Sequence, residues 1–240
     1  MSIKFSHKNR KIGYTYGSLS GIFSFRGDKS IAFESKLEKN LLQILEFNDS
    51  VIDVEEQPFT LEYRNQKGRM TTYTPDFLVR FKALPSTISH LPYPKPLIIE
   101  VKPRNKIQTE FQKLKPKFKT GLRFANENDM NFRIYDESRI YTQEFENIEF
   151  LSRYKKRDYD TENEMRILEH LNNIGHTTVD HLLCTLFVTK EEQGVALGQI
   201  WHMLVTKKIS CDIGKKLSLC SVIWLNREES NHEGVLQYGS

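Results

Sequence analysis

No stretch of the chain reaches 18 consecutive apolar residues, which excludes a membrane-spanning helix as the organising element. Residues 1–11 lack the apolar core of a signal peptide, so secretion is not expected. Cysteine is scarce: Cys184, Cys211 and Cys220 all fall in the last quarter and form no Cys-x-x-Cys pair. That argues against a disulfide framework and against a structural zinc site, and the expectation is three buried thiols in a reducing compartment. The seven histidines show no His-Glu-x-x-His and no His/Cys metal spacing. Neither an internal repeat nor a low-complexity tract is present.

The rest of the composition, 38% hydrophobic and 28% charged over 240 residues, is that of a folded chain of one or two domains. Its net charge of +4 is unevenly spread. Residues 1–30 hold six Lys/Arg against Asp28 alone, and residues 102–123 hold eight against Glu110 alone. A third basic cluster is Arg153-Tyr-Lys-Lys-Arg157. Basic segments of this kind suit a polyanion, because neutralised phosphates release condensed counterions.

Apolar periodicity predicts an amphipathic helix over 30–47, with Ser30 as N-cap, then strands at 51–55, 59–63 and 76–81. A Pro-rich loop, 83–96, leads to Leu97-Ile98-Ile99-Glu100-Val101, which reads as a buried central strand. A helix over 107–118, interrupted at Pro116, a strand at 131–135 and a weaker one at 139–141 complete an α/β domain. A boundary is expected near 152–161. Beyond it, capping-box patterns at 161–164 and 189–192 open helices, with another helix at 179–187 between them. A hairpin over 208–225 closes the order of a winged helix, with Trp201 and Leu204 in its core.

Three acids and a lysine stand out: Glu34 on the first helix, Asp76 after Pro75, and Glu100-Val101-Lys102 ending the apolar strand. A hairpin can return Glu100 beside Asp76. A carboxylate ending a buried strand is costly unless paired or bound to a cation, and two converging carboxylates make an oxygen site suited to Mg²⁺ or Mn²⁺. Period-two alternation puts Lys102 on the face of Glu100.

This pattern resembles the PD-(D/E)XK nucleases, the restriction-endonuclease-like superfamily, and within it the TnsA-type transposon endonucleases. Phe33-Glu-Ser-Lys-Leu-Glu38, Glu56-Gln-Pro-Phe59, Tyr73-Thr-Pro-Asp-Phe77 and Ile98-Ile-Glu-Val-Lys102 carry the resemblance. It implies an endonuclease domain over 1–155, including a basic arm at 1–30, and a winged-helix-like domain over 156–240. It also implies metal-dependent cutting of the 5′ ends of a transposon. Glu34, Asp76, Glu100 and the Val101 carbonyl would be metal ligands, and Lys102 would orient the attacking water. The family's best-known member has Gln where Glu100 stands, which leaves the number of metals open. Arg104 and Lys106, with Lys8, Arg10 and Lys11, would touch DNA, and Gln57 would reach the site. The implied partners are transposon-end DNA, a DDE-family (TnsB-like) transposase and, through the C-terminal domain, an AAA+ (TnsC-like) ATPase, all in the bacterial cytoplasm at the nucleoid. Two other readings stay open: a stand-alone restriction or repair nuclease, and a non-catalytic DNA-binding assembly protein.

Overall fold

A computed structural model describes residues 3–5, 19–83 and 94–226. The chain divides into two compact units, residues 1–142 and 143–240. The first opens with β1 (Ile3–Phe5), followed by a hairpin of β2 (Gly21–Phe25) and β3 (Lys29–Phe33). Helix α1 (Lys36–Phe47) starts later than the periodicity predicts. Residues 29–33 pair with β2 instead, and the N-cap is Ser35, whose hydroxyl accepts the Glu38 amide. Leu37, Leu41 and Leu45 then bury one face of α1 against the sheet core that includes Val54, Phe77 and Ile99.

The central sheet has the order β4-β7-β8-β9. Its strands are β4 (Val51–Glu56), β7 (Phe77–Phe81), β8 (Leu97–Val101) and β9 (Asn131–Tyr135). The first two pairings are antiparallel, and β8 with β9 is parallel, reached through α2 (Arg104–Glu127). Parallel neighbours need such a crossover, whereas a simple return serves β7 and β8. A second sheet joins β1, β5 (Phe59–Arg64) and β6 (Met70–Tyr73). Strand β6 has only Tyr73 buried, too weak an alternation to register in sequence.

Helix α2 is twice the predicted length and runs straight through Pro116. Proline removes the N–H that would bond to the carbonyl four residues back. That carbonyl, on Gln112, is instead met by the side-chain amide of Gln66 from the β5–β6 turn. The helical dihedrals break at Glu110, not at the proline. The weak strand expected at 139–141 is a short helix, α3 (Glu137–Ile140), because Asp136 caps the Ser138 amide.

The second unit begins with α4 (Gln143–Ser152), earlier than the expected boundary. The reason is packing: Phe150 meets Trp201 edge-on at 5.7 Å, and Asn147 donates to the carbonyls of Ile213 and Lys215. Then follow α5 (Thr161–Ile174), β10 (His176–Thr178), α6 (Val179–Leu186), α7 (Lys190–Val205), β11 (Ile209–Cys211) and β12 (Val222–Leu225). The three strands form an antiparallel sheet of order β10-β12-β11. The N-cap of α5 is Asp160, one residue before the expected Thr161, whereas the Thr189–Glu192 capping box of α7 forms in full. Trp201 and Leu204 are buried in this unit. The expectation of three buried thiols fails: Cys184 lies on the outer face of α6, Cys220 in the turn before β12, both exposed, and Cys211 is half-buried. Among the described residues, no helix is long and apolar enough to cross a membrane.

Candidate active site

Because β7 and β8 are antiparallel, the start of one lies beside the end of the other. The Asp76 amide donates to the Ile99 carbonyl at 3.1 Å. Asp76 Oδ2 accepts the Val101 amide at 2.7 Å, which fixes the carboxylate against the last residue of β8. Gln57 supports the same corner: its amide donates to the Asp76 carbonyl at 3.0 Å. It does so in a left-handed backbone conformation, φ +44°, directly before Pro58. Such a conformation is costly for a non-glycine residue and persists only where its surroundings impose it.

Glu100 is fully buried. Its Oε1 takes two ammonium groups, Lys117 Nζ at 2.6 Å and Lys102 Nζ at 3.0 Å. Its Oε2 is buried with no hydrogen bond of good geometry, and the buried Tyr73 hydroxyl faces the same carboxylate. Burial, then the charges of Glu100 and Asp76, push the Tyr73 phenol well above its ordinary range. Asp76 is raised to about 7, first by burial and then by the negative charge of Glu100, with Glu38 adding to it. Lys102 and the Val101 amide pull the other way without winning. Burial works against the Lys102 ammonium, yet Asp76 and Glu100 outweigh it and hold its pKa above the ordinary 10.5. At neutral pH Lys102 is therefore a cation that donates hydrogen bonds and takes no proton.

The expected convergence of Asp76, Glu100 and Lys102 is present. The helix carboxylate is distributed differently. Glu34 is exposed at the mouth of α1, where its backbone amide donates to Glu38 Oε2 at 2.9 Å. The α1 acid whose charge acts on both Asp76 and Lys102 is the buried Glu38. Position i+4 on a helix facing the strand ends was the signal for it. Lys117 was hidden among eight basic residues. Arg104 and Lys106 are exposed in the first turn of α2, immediately after Lys102, and the Arg104 amide is bound to Glu137 Oε2 at 2.7 Å. Lys8, Arg10 and Lys11 lie outside the described residues.

Among the described residues, no group of three His, Cys, Asp or Glu side chains is close enough to hold a metal by itself. The site nonetheless fits a hard cation. Two carboxylates repel each other here, and one buried oxygen, Glu100 Oε2, has no hydrogen bond of good geometry. Mg²⁺ commonly uses one or two carboxylates and completes its shell with water and substrate phosphate.

A mixed sheet presenting Pro-Asp and Glu-x-Lys at neighbouring strand ends, flanked by helices, defines a nuclease domain of the restriction-endonuclease-like class. Residues 48–137 match the family model for the TnsA-like endonuclease N-terminal domain, and residues 139–213 match that for the TnsA endonuclease C-terminal domain. The chain belongs to the TnsA-type transposon endonucleases. No curated protein matches it significantly.

Proposed function

We propose that the chain is the metal-dependent endonuclease subunit of a heteromeric transposase, cutting the 5′ ends of its transposon. The observation that carries this reading is the meeting of Asp76 and Glu100 beside the Lys102 ammonium. Asp76, Glu100 and the Val101 carbonyl would hold Mg²⁺, with Mn²⁺ as substitute, and the α1 carboxylate would complete the site. The motif names Glu34 for that role and the charge coupling names Glu38. When bound, the cation polarises the scissile phosphate and lowers the pKa of water.

The chain's own groups supply positioning. The Val101 amide keeps Asp76 from turning away, and Gln57 anchors the Asp76 backbone. Lys102, held protonated, orients the attacking water and faces the charge that develops on the phosphate. Arg104 and Lys106 extend the positive surface along the DNA backbone, the task we also assign to Lys8, Arg10 and Lys11. In the second unit, after α4, the order helix, strand, two helices and two strands supports a winged-helix reading. DNA, a DDE-family transposase that cuts the 3′ ends, and an AAA+ ATPase would be the partners.

The test is strand-specific cleavage of labelled transposon-end DNA in Mg²⁺, with and without the transposase. We expect partner-dependent 5′-strand cutting that Asp76→Ala and Glu100→Ala both abolish. Full cutting by either variant would move the active site elsewhere. Cutting of plasmid without any partner would favour a stand-alone nuclease.

A further inference from the structure

The nuclease reading leaves Lys117 without a task, although it makes the shorter of the two ion pairs to Glu100, 2.6 Å against 3.0 Å. The two lysines are held very differently. Lys102 stands just beyond β8 at the site itself, whereas Lys117 comes from the middle of α2. Its ammonium lies 4.7 Å from the centre of the Tyr73 ring, within cation–π range, and Tyr73 is itself buried. The helix cannot shift easily beneath it. One turn on, Gly121 packs so tightly that a Cβ there would stand 2.8 Å from Phe132 and 3.1 Å from Tyr73. One residue before, Pro116 interrupts the helix hydrogen bonds, and Gln66 bonds the carbonyl so released.

A fully buried carboxylate stripped of its only cation is strongly disfavoured. If Lys102 alone neutralised Glu100, moving its ammonium to a phosphate or a water would leave such a charge behind. Lys117 occupies the same oxygen and removes that obstacle. We propose that Lys117 is a positioning residue: it keeps Glu100 neutralised through Oε1, so that Lys102 can leave for the reacting phosphate while Oε2 stays available to the cation. This rests on the nuclease reading of the Asp76, Glu100 and Lys102 site.

The experiment uses the full chain with Lys117→Met, Lys117→Arg, Glu100→Gln and the double variant Glu100→Gln/Lys117→Met. Three quantities are read: melting temperature without metal, Mn²⁺ binding by calorimetry, and the single-turnover rate of end cleavage with the transposase. We expect Lys117→Met to melt lower than the parent, and to add little further loss in the Glu100→Gln background, because the charge it balances is then absent. Mn²⁺ should bind Lys117→Met at least as tightly as the parent, since the site has lost a positive charge. Cleavage should nevertheless slow on the order of 10- to 100-fold, the scale of a misplaced catalytic group, and Lys117→Arg should recover most of it. Parental cleavage by Lys117→Met would overturn the proposal, as would an equal melting loss in both Glu100 backgrounds. If Lys117→Met does not fold, failure of Lys117→Arg to cleave despite parental melting and Mn²⁺ binding would overturn it. Asp76→Ala separates the two readings: an inactive Asp76→Ala beside a fully active Lys117→Met rejects the role of Lys117 alone, whereas an active Asp76→Ala rejects the site.

Discussion

Asp76→Asn should make the metal-free protein more stable at alkaline pH, at the expense of its chemistry. In the folded chain Asp76 titrates near 7 instead of 3.8, because it is buried beside Glu100. Between those two values the folded state binds the proton more tightly than the unfolded chain does, so this group's contribution to stability falls as pH rises from about 4 to 7. At about 1.4 kcal/mol per pH unit, the full gap corresponds to about 4 kcal/mol lost above pH 7. Asp76 and Glu100 share one repulsion, so relief at either site counts once for the pair, and about half of that, about 2 kcal/mol, is the expected gain. Asparagine keeps an oxygen able to accept the Val101 amide, which limits collateral damage. The assay is urea unfolding of parent and variant in chelator at pH 5 and pH 8. At pH 5 about a third of the gap is already open, so the variant should exceed the parent there by less than about 1 kcal/mol, rising to about 2 kcal/mol at pH 8, with Mg²⁺ restoring the parent alone. An advantage of equal size at both pH values, or none at pH 8, would refute the argument that uncompensated charge sits at this corner.

Four further substitutions test other parts of the structure. Gly121→Ala forces a methyl group against Phe132 and Tyr73 and should cost about 1–3 kcal/mol by urea midpoint, with slower cleavage because α2 carries Lys117. Thr189→Ala removes the reciprocal cap of α7 and should cost about 1 kcal/mol in the second unit while leaving Mn²⁺ binding to the first unchanged. Glu38→Gln should depress end cleavage far more than Glu34→Gln, because Glu38 is buried and its charge bears on Asp76 and Lys102, whereas Glu34 is exposed; equal losses in a cleavage assay would return the helix carboxylate role to Glu34.

Much of the site is legible in the sequence because its pieces are short and locally punctuated. An apolar run ending in Glu-x-Lys reads as a buried central strand, and Pro75-Asp76 marks where its antiparallel neighbour begins. What resisted reading depends on contacts between distant segments. The periodicity points to Ser30 as the cap, but β2 claims residues 29–33 as its hairpin partner and moves the helix start to Ser35. Pro116 reads as an interruption soon before the helix ends at 118, because nothing near it in the chain signals that Gln66, fifty residues earlier, bonds the freed carbonyl.

That one long-range bond has consequences for how charge is interpreted. Were α2 to stop at Pro116, Lys117 would read as one more surface cation of the basic segment 102–123, suited to DNA. With the chain helical on both sides of Pro116, Lys117 turns inward onto Glu100 and its positive charge is spent inside the fold. Arg104 and Lys106, in the same basic segment, remain exposed beside the site. A local charge count therefore measures two different things here: a surface suited to a polyanion, and an internal counterion that makes a fully buried carboxylate tolerable. Only the fold separates them, and it does so at the residue that determines whether Lys102 is free to act.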